Sequence, residues 1–585
     1  MEGPAATPRP IDRWAIVLFG VLALGSWAAL LYLGRGVTFF QDEWRFIDVV
    51  GPFGTLDDLL KPQNEHWSTL PFLLYRAIFN VVGLSSYLPY LAVVLALHVV
   101  AAAGLFVLLY RRNGPLVAFG GAVLALWLGT GYQNLFWAFQ VGFVGSTAAG
   151  LWALVAFEHD GRAASLAGTL LLLASVMSSG IGLVFSTAVG AELVADKERR
   201  RKVVWLVPIA VAYLAWYLAI GRTGVSAAEA GVNDSRNPFS VTALADVPAF
   251  AWAGLQHSVE ATIGPLPVLV PALSLVLIVS ALAWLVYHRV PARTVGAVAG
   301  LVVLFGLIGL VRGHIGIEQT TRSRYLYEGV LLVMLAVSGL IGTRLTPDAI
   351  RREPLARVAA GACALLLIAG LAHNANWLRL GQRDWLNRAA ETRAYIALLD
   401  VVPAALVNRE VAVDWNIPDP LRMRRLIGMY GDPARDVLVP GVVRRPNERD
   451  EDRALYRLVG GNFTVRPGGV DTAGHSPQLV RSSGGTIDPA GECITIVPDA
   501  SRLSATVRLP DRGRLRVRST GAATGRAFLQ RASDEPQRAN GVELPLDPQG
   551  SIVGVPALDG QGWLVTLHIP RDAGDVTLCE LDPAR

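Results

Sequence analysis

A chain of 585 residues that is 52% hydrophobic and only 17% charged, with a mean hydropathy of +0.42, falls outside the range of ordinary soluble domains and into the membrane class. Its net charge of +5 is carried by arginine, since the only lysines are Lys61, Lys197 and Lys202. No basic stripe is interleaved with stacking aromatics, which argues against a nucleic-acid partner.

Taken in chain order, apolar runs long enough to cross roughly 30 Å of hydrocarbon, or nearly so, occur about eleven times. The clear ones cover residues 14–33, 88–110, 136–157, 203–220, 266–287, 295–311, 325–341 and 355–371, and shorter ones cover 116–128, 164–178 and 181–194. The first run has no small-residue cleavage site and is expected to remain as an anchor. A transmembrane region over 1–372 and a polar, Pro/Gly-punctuated region over 373–585 are therefore expected.

Directly after the first run comes QDEWRFIDVV (41–50), in which Asp42 and Glu43 sit among Phe39, Phe40, Trp44 and Phe46. Carboxylates among apolar side chains are costly to desolvate and titrate high, the condition a general base needs. Equally, such a segment suits an interfacial aromatic belt with solvated acids. The loop continues through a short amphipathic stretch (56–60) to NEHWSTLPFLLYR (64–76), which carries Glu65 and His66.

GYQNLFWAFQVG (131–142) supplies Tyr132, Gln133, Asn134, Trp137 and Gln140, which suit sugar hydroxyls by stacking and hydrogen bonding and suit helix linking equally well. Residues 222–262 read as a loop over a cavity. RGHIGIEQTTRSRYLYEG (312–329) places Arg322, Arg324 and Tyr325 at the start of a span, where they suit a phosphate and also suit snorkelling to headgroups. His314 and Glu318 lie beside them.

After Leu371 the period changes. A helix is expected at 383–399, followed by alternating strands such as RLRVRS (514–519), WLVTLHI (563–569) and DVTLCEL (575–581), a pattern suggesting a β-sandwich. Of three cysteines, Cys363 lies in an apolar run. Cys493 and Cys579 both lie in strand-like runs and fit either a disulfide in an oxidising compartment or two separate thiols.

The short loops that keep Arg and Lys fall on one side if the spans alternate, with Arg35 and Arg76 as exceptions. That side is expected to be cytoplasmic and to hold the N-terminus. The first loop and the C-terminal region then face outward from a plasma membrane.

The Asp-Glu pair in QDEWRFIDVV, just after the first span, together with NEHWSTLPFLLYR, resembles the first extracytoplasmic loop of the GT-C superfamily of integral-membrane glycosyltransferases. It is most similar to the protein O-mannosyltransferase and aminoarabinose-transferase branch. The resemblance covers about two-thirds of the chain, through short motifs; the His-Pro-Pro form of some members is absent after His66. It implies a polyprenyl-phosphate sugar donor, an inverting transfer to a cell-envelope glycan or other acceptor, and a carbohydrate-binding tail. Asp42 would be the general base and Glu43 would orient it or bind the acceptor. Arg322, Arg324 and Tyr325 would hold the donor phosphate, where charge develops as the glycosidic bond breaks. Glu65, His66 and the Tyr132–Gln140 set would contact substrate.

No cofactor is expected. Some members use a divalent cation, but no ligand spacing here demands a metal. A transporter would carry charge in mid-span, whereas Glu192 is the only acid well inside an expected span. A non-catalytic scaffold presenting a glycan-binding β domain remains the other alternative.

Overall fold

In hydrocarbon a backbone satisfies its own N–H and C=O groups only within a helix or a closed barrel, so long apolar runs fold as helices. The computed structural model describes residues 11–50, 55, 57–63, 65–222, 240–287, 290–342, 344–407, 419–435, 438, 446–468, 474–488, 492–531, 533, 541–558 and 560–581. It is mostly helical, with an antiparallel β region toward the C-terminus.

The helices run in the order α1 (Arg13–Gly34), α2 (Asp42–Val50), α3 (Thr69–Val82), α4 (Leu88–Asn113), α5 (Pro115–Leu126), α6 (Tyr132–Phe136), α7 (Val141–Glu158), α8 (Arg162–Val176), α9 (Ile181–Ala195) and α10 (Val207–Ala219). Then come α11 (Val241–Ile263), α12 (Leu269–Tyr287), α13 (Ala292–Arg312), α14 (Ser323–Ile341), α15 (Pro347–Arg352), α16 (Pro354–Val401), α17 (Pro420–Tyr430) and α18 (Glu448–Val459).

Eight helical segments among the described residues are long and apolar enough to cross a membrane: Arg13–Gly34, Leu88–Asn113, Pro115–Phe136, Ala138–Glu158, Arg200–Ala219, Ala292–Arg312, Ser323–Ile341 and Pro354–Val401. The other expected spans are α8 and α9, of 15 residues each, and α12, whose apolar portion is Leu269–Trp284. Fifteen residues rise only about 22 Å, less than the roughly 30 Å of hydrocarbon. The break between α8 and α9 is the Ser178–Ser179–Gly180 stretch. Both helices pack on α7, where Ser146 Oγ reaches Ser175 O at 2.9 Å and Ser175 Oγ donates to Ser146 O at 2.7 Å.

The expected loop 222–262 contains α11, a helix of 23 residues; its NDSRNP part lies outside the described residues. Pro248, Asp246 and Glu260 interrupt any apolar run there, so hydropathy does not reveal the helix. Its small and apolar face settles it instead: Gly254 lies against the Phe305 ring of α13, and Ser258 lies against Gly329 of α14. Ser240 caps the start by accepting the Ala243 N–H at 3.2 Å, and Gly264, with φ of 92°, ends it. Small residues at crossings recur through the bundle, as at Gly150 against Phe185 and Gly296 against Ala188, and let helices approach closely without a hydrophobic drive.

The chain divides into two units, one of Met1–Val37, Phe46–Val82 and Tyr87–Trp385, the other of Thr38–Arg45, Gly83–Ser86 and Leu386–Arg585. A boundary was expected at 372/373, but α16 runs unbroken for 48 residues and absorbs the helix expected at 383–399. No proline occurs between Pro354 and Pro403, so nothing in the sequence stops it.

In the second unit the strands are β1 (Thr464–Pro467), β2 (Gly474–His475), β3 (Gln478–Ser483), β4 (Gly485–Asp488), β5 (Ile494–Pro498), β6 (Arg502–Leu509), β7 (Arg514–Ser519), β8 (Ala523–Gln530), β9 (Gly541–Leu546), β10 (Ser551–Gly554), β11 (Trp563–Pro570) and β12 (Val576–Leu581). One antiparallel sheet has the order β1-β10-β7-β12-β5-β4, with β2 also on β12, and the other has the order β3-β6-β11-β8-β9. The three alternating motifs are β7, β11 and β12, and their inward residues Leu515, Val517, Val565, Leu567, Val576 and Leu578 form core. Cys493 and Cys579 are joined by a disulfide, with Cα atoms 4.8 Å apart.

Candidate functional site

In the first unit, Gln63 and His66 exchange both backbone N–H···O bonds at 3.0 Å, making a tight turn that presents Glu65 and His66. Flanking contacts hold the turn. Trp67 stacks on Trp216 of α10 at 5.1 Å, its Nε1 donates to Thr69 Oγ1 at 2.8 Å, and Trp216 Nε1 donates to Leu60 O at 2.9 Å.

Glu65 Oε1 accepts from Arg312 Nη2 at 2.9 Å. Burial alone would raise the Glu65 carboxyl, but the charges of Arg312 and His66 and the Arg312 hydrogen bond outweigh it and bring the pKa down to about 2. Burial holds the His66 imidazole below its ordinary value, with Arg312 and Arg324 adding to the effect and Glu65 opposing it. His66 Nδ1 accepts the Gly180 N–H at 3.3 Å, and this leaves Nε2 as the protonated ring nitrogen of the neutral form.

Arg312 and Arg324 lie over the Tyr325 ring, 5.9 and 5.1 Å from its centroid, and Phe143 adjoins both Tyr325 and His66. The fold thus brings Glu65, His66, Arg324 and Tyr325 together and adds Arg312, which closes α13. Arg312 escapes sequence reasoning because a lone Arg at the end of an apolar run looks like a headgroup anchor.

The 131–142 stretch divides into two kinds of residue. Gln133 Oε1 accepts the Arg324 N–H at 3.3 Å, and the Gln133 N–H reaches Ser323 Oγ at 3.1 Å. Asn134 is fully buried and donates to Arg324 O at 3.3 Å and Glu328 Oε1 at 3.2 Å. Gln140 is 2% exposed, and Trp137 is packed between Phe139 and Trp385. Asn134 therefore links helices and Trp137 and Gln140 are enclosed, while Tyr132 and Gln133 face a cavity. Glu328, near the start of the expected span at 325–341, is 0% exposed and also takes the Thr147 hydroxyl at 3.4 Å, so Glu192 is not the only enclosed acid.

That cavity, about 450 Å³, is lined by Thr130, Tyr132, Gln133, His257, Glu260, Ala261, Glu318, Thr321, Arg322, Ser323, Leu326, His373 and Trp377. Tyr132 and Trp377 lie parallel within 7° at 6.4 Å between centroids. Of the expected residues it gathers Tyr132, Gln133, Arg322 and Glu318, whereas His314 is exposed elsewhere. His257 and Glu260 come from α11 and His373 from α16. His257 and Glu260 belong to QHSVE (256–260), in the segment expected over a cavity, but only the helix packing turns them and His373 to one space.

Asp42 and Glu43 belong to the second unit, in the first turn of α2. Glu43 is 0% exposed, and its Oε2 accepts the Phe40 N–H at 2.9 Å, reaching back over the helix start as in a capping box. Gln41, with φ of 45°, holds the left-handed backbone that a non-glycine residue rarely adopts. Asp42 is 8% exposed. The aromatic-belt alternative is corrected here: Phe39, Trp44 and Phe46 are buried at 0–2% exposure, inside protein.

At the opposite end of the first unit's helices, Arg293 Nε and Nη2 reach Glu192 at 2.8 and 3.1 Å, and Nη2 reaches Glu158 at 2.7 Å. Arg112 and Arg199 join the same carboxylates, and Tyr110 donates to Asp12, just ahead of α1, at 2.8 Å. Glu192 is thus locked in a multi-arginine cluster. Among the described residues no group of three or more His, Cys, Asp or Glu is arranged to hold a metal ion. No protein-family model matches the chain, and no curated protein matches it.

Proposed function

We propose that this chain is an integral-membrane glycosyltransferase that moves a sugar from a polyprenyl-phosphate donor to a cell-envelope acceptor. The cavity beside the start of α14 carries the proposal. It combines a parallel aromatic pair, two carboxylates and Arg322, and the Arg312–Arg324 cluster lies at the same helix end. Aromatic faces take the apolar side of a sugar ring and carboxylates take its hydroxyls. Guanidiniums stabilise the phosphate on which charge builds as the bond to the anomeric carbon breaks.

The donor phosphate is assigned to Arg322 and Arg324, with Arg312 and the Nε2–H of His66 in support. Asp42 keeps the role of general base that the resemblance gives it. Glu43, spent on the Phe40 N–H, is the residue that positions it. No cofactor enters the scheme.

This helix end is assigned to the extracytoplasmic side, because Arg111, Arg112, Arg199 and Arg293 gather at the other. The Cys493–Cys579 bridge favours the same side for the β region, which is assigned as a β-sandwich that positions the acceptor.

The test is sugar transfer by membranes holding wild type or Asp42→Asn at matched expression, with a panel of labelled polyprenyl-phosphate sugars and a crude envelope acceptor. Transfer by wild type and its loss in the variant is the expected result. Undiminished transfer would remove Asp42 from the chemistry. No transfer from any donor would overturn the proposal in favour of a non-catalytic scaffold.

A further inference from the structure

The hydrogen-bond polarity of the cavity wall restricts what it holds. Thr320 Oγ1 donates to Ile317 O at 2.7 Å and lies 2.9 Å from His257 Nδ1. A hydroxyl has one proton, and with that proton on Ile317 the Thr320 oxygen accepts, so His257 carries its proton on Nδ1. Its Nε2 is then a bare lone pair on a ring that lines the cavity. Two neighbouring hydroxyl protons are likewise spent on protein acceptors: Thr130 Oγ1 on Asn374 Oδ1 at 2.9 Å, and Thr321 Oγ1 on Glu318 O at 2.8 Å. The Glu260 and Glu318 carboxylates add acceptors and two negative charges, against the one cation of Arg322 and the neutral donors of Gln133, Tyr132, Ser323 and Trp377. His373 faces the same space from α16.

We infer that this cavity binds an uncharged, hydroxyl-donating sugar ring, stacked on Trp377 and fixed through one hydroxyl by His257 Nε2, and that it rejects rings bearing a carboxylate. The inference rests on the glycosyltransferase proposal for its biological sense but not for its test. A carboxylate on the ring would meet two carboxylates, Glu260 and Glu318, against the single guanidinium of Arg322, and like charges in a partly enclosed site disfavour each other. A neutral ring satisfies the same acceptors with its hydroxyl protons. A site built to receive a hydroxyl discriminates strongly against a ligand lacking it, because the acceptor is left unpaired.

The experiment is saturation-transfer difference NMR on the full chain in nanodiscs at pH 7.5, comparing methyl glucoside, galactoside and mannoside with methyl glucuronide. The neutral glycosides are expected to show saturation concentrated on one ring face, and the uronide roughly tenfold less. Trp377→Ala, at an exposed position, should abolish the signal. His257→Asn keeps a donor toward Thr320 while removing Nε2, and should weaken binding roughly fivefold. Equal saturation by the uronide, an unchanged signal in Trp377→Ala, or no signal from any neutral glycoside would overturn the inference. Binding as described by a chain that transfers no sugar would instead defeat the enzymatic proposal and leave the cavity assignment standing.

Discussion

Glu65, in the turn before α3, has its acid–base behaviour strongly changed by its surroundings. Its carboxyl has a pKa of about 2 in the folded chain against 4.5 for the free group, through Arg312 and His66. Because the folded value is depressed, the ionised carboxylate stabilises the fold fully above about pH 4.5, and that contribution is lost as pH falls toward 2. Glu65→Gln should therefore flatten the fall of the thermal midpoint between pH 4.5 and 3 while leaving the slope above pH 5 unchanged, as measured by scanning fluorimetry in detergent. An equal slope in both proteins would remove the pair from the acid response. The sequence places Glu65, His66, Arg324 and Tyr325 as candidates by residue type and position beside a span. It does not separate Gln133, which faces the cavity, from Asn134 and Gln140, which are enclosed, because a polar residue at a helix end serves either purpose.

Among the elements, α9 and α13 show how a charge cluster clamps helices. Arg293, in the first turn of α13, is 1% exposed and bridges Glu192 of α9 to Glu158 of α7. Removing one partner from an enclosed ionic cluster leaves the others uncompensated, at a cost of about 3–5 kcal/mol. Arg293→Met should accordingly lower the unfolding midpoint in SDS or on heating by far more than Arg293→Lys, which keeps the charge but loses the fork. Equal midpoints for the two variants would show that the cluster contributes packing only. Hydropathy finds Glu192 but not its partners Arg112 and Arg293, which lie 80 and 101 residues away. The same limit explains α11: its Pro248 and acids hide it from an apolar-run search, and its Gly254 and Ser258 contacts exist only once α13 and α14 are in place.

For the whole molecule, the β region is closed by Cys493–Cys579, which are 86 residues apart. In the chain-entropy account, a cross-link over that separation removes roughly 4–5 kcal/mol of unfolded-state freedom. Reduction, or Cys493→Ser with Cys579→Ser, should sharply increase protease sensitivity in the β strands while leaving the helical far-UV signal in place. Unchanged protection would mean that the sheets carry their own stability.

The sequence by itself determined that this chain carries runs long and apolar enough to cross a membrane as helices, with a β region after them, since hydrocarbon length and strand alternation are local patterns that survive in any context. It also marked the Asp42–Glu43 stretch and Arg322 and Arg324 at the start of α14. Only the tertiary structure decided the span-length count of eight among the described residues, the burial of Phe39, Trp44 and Phe46, the helix at Val241–Ile263 and the cavity. Those depend on which helix face meets which neighbour, and a helix repeats its faces every 3.6 residues whether or not anything packs against them.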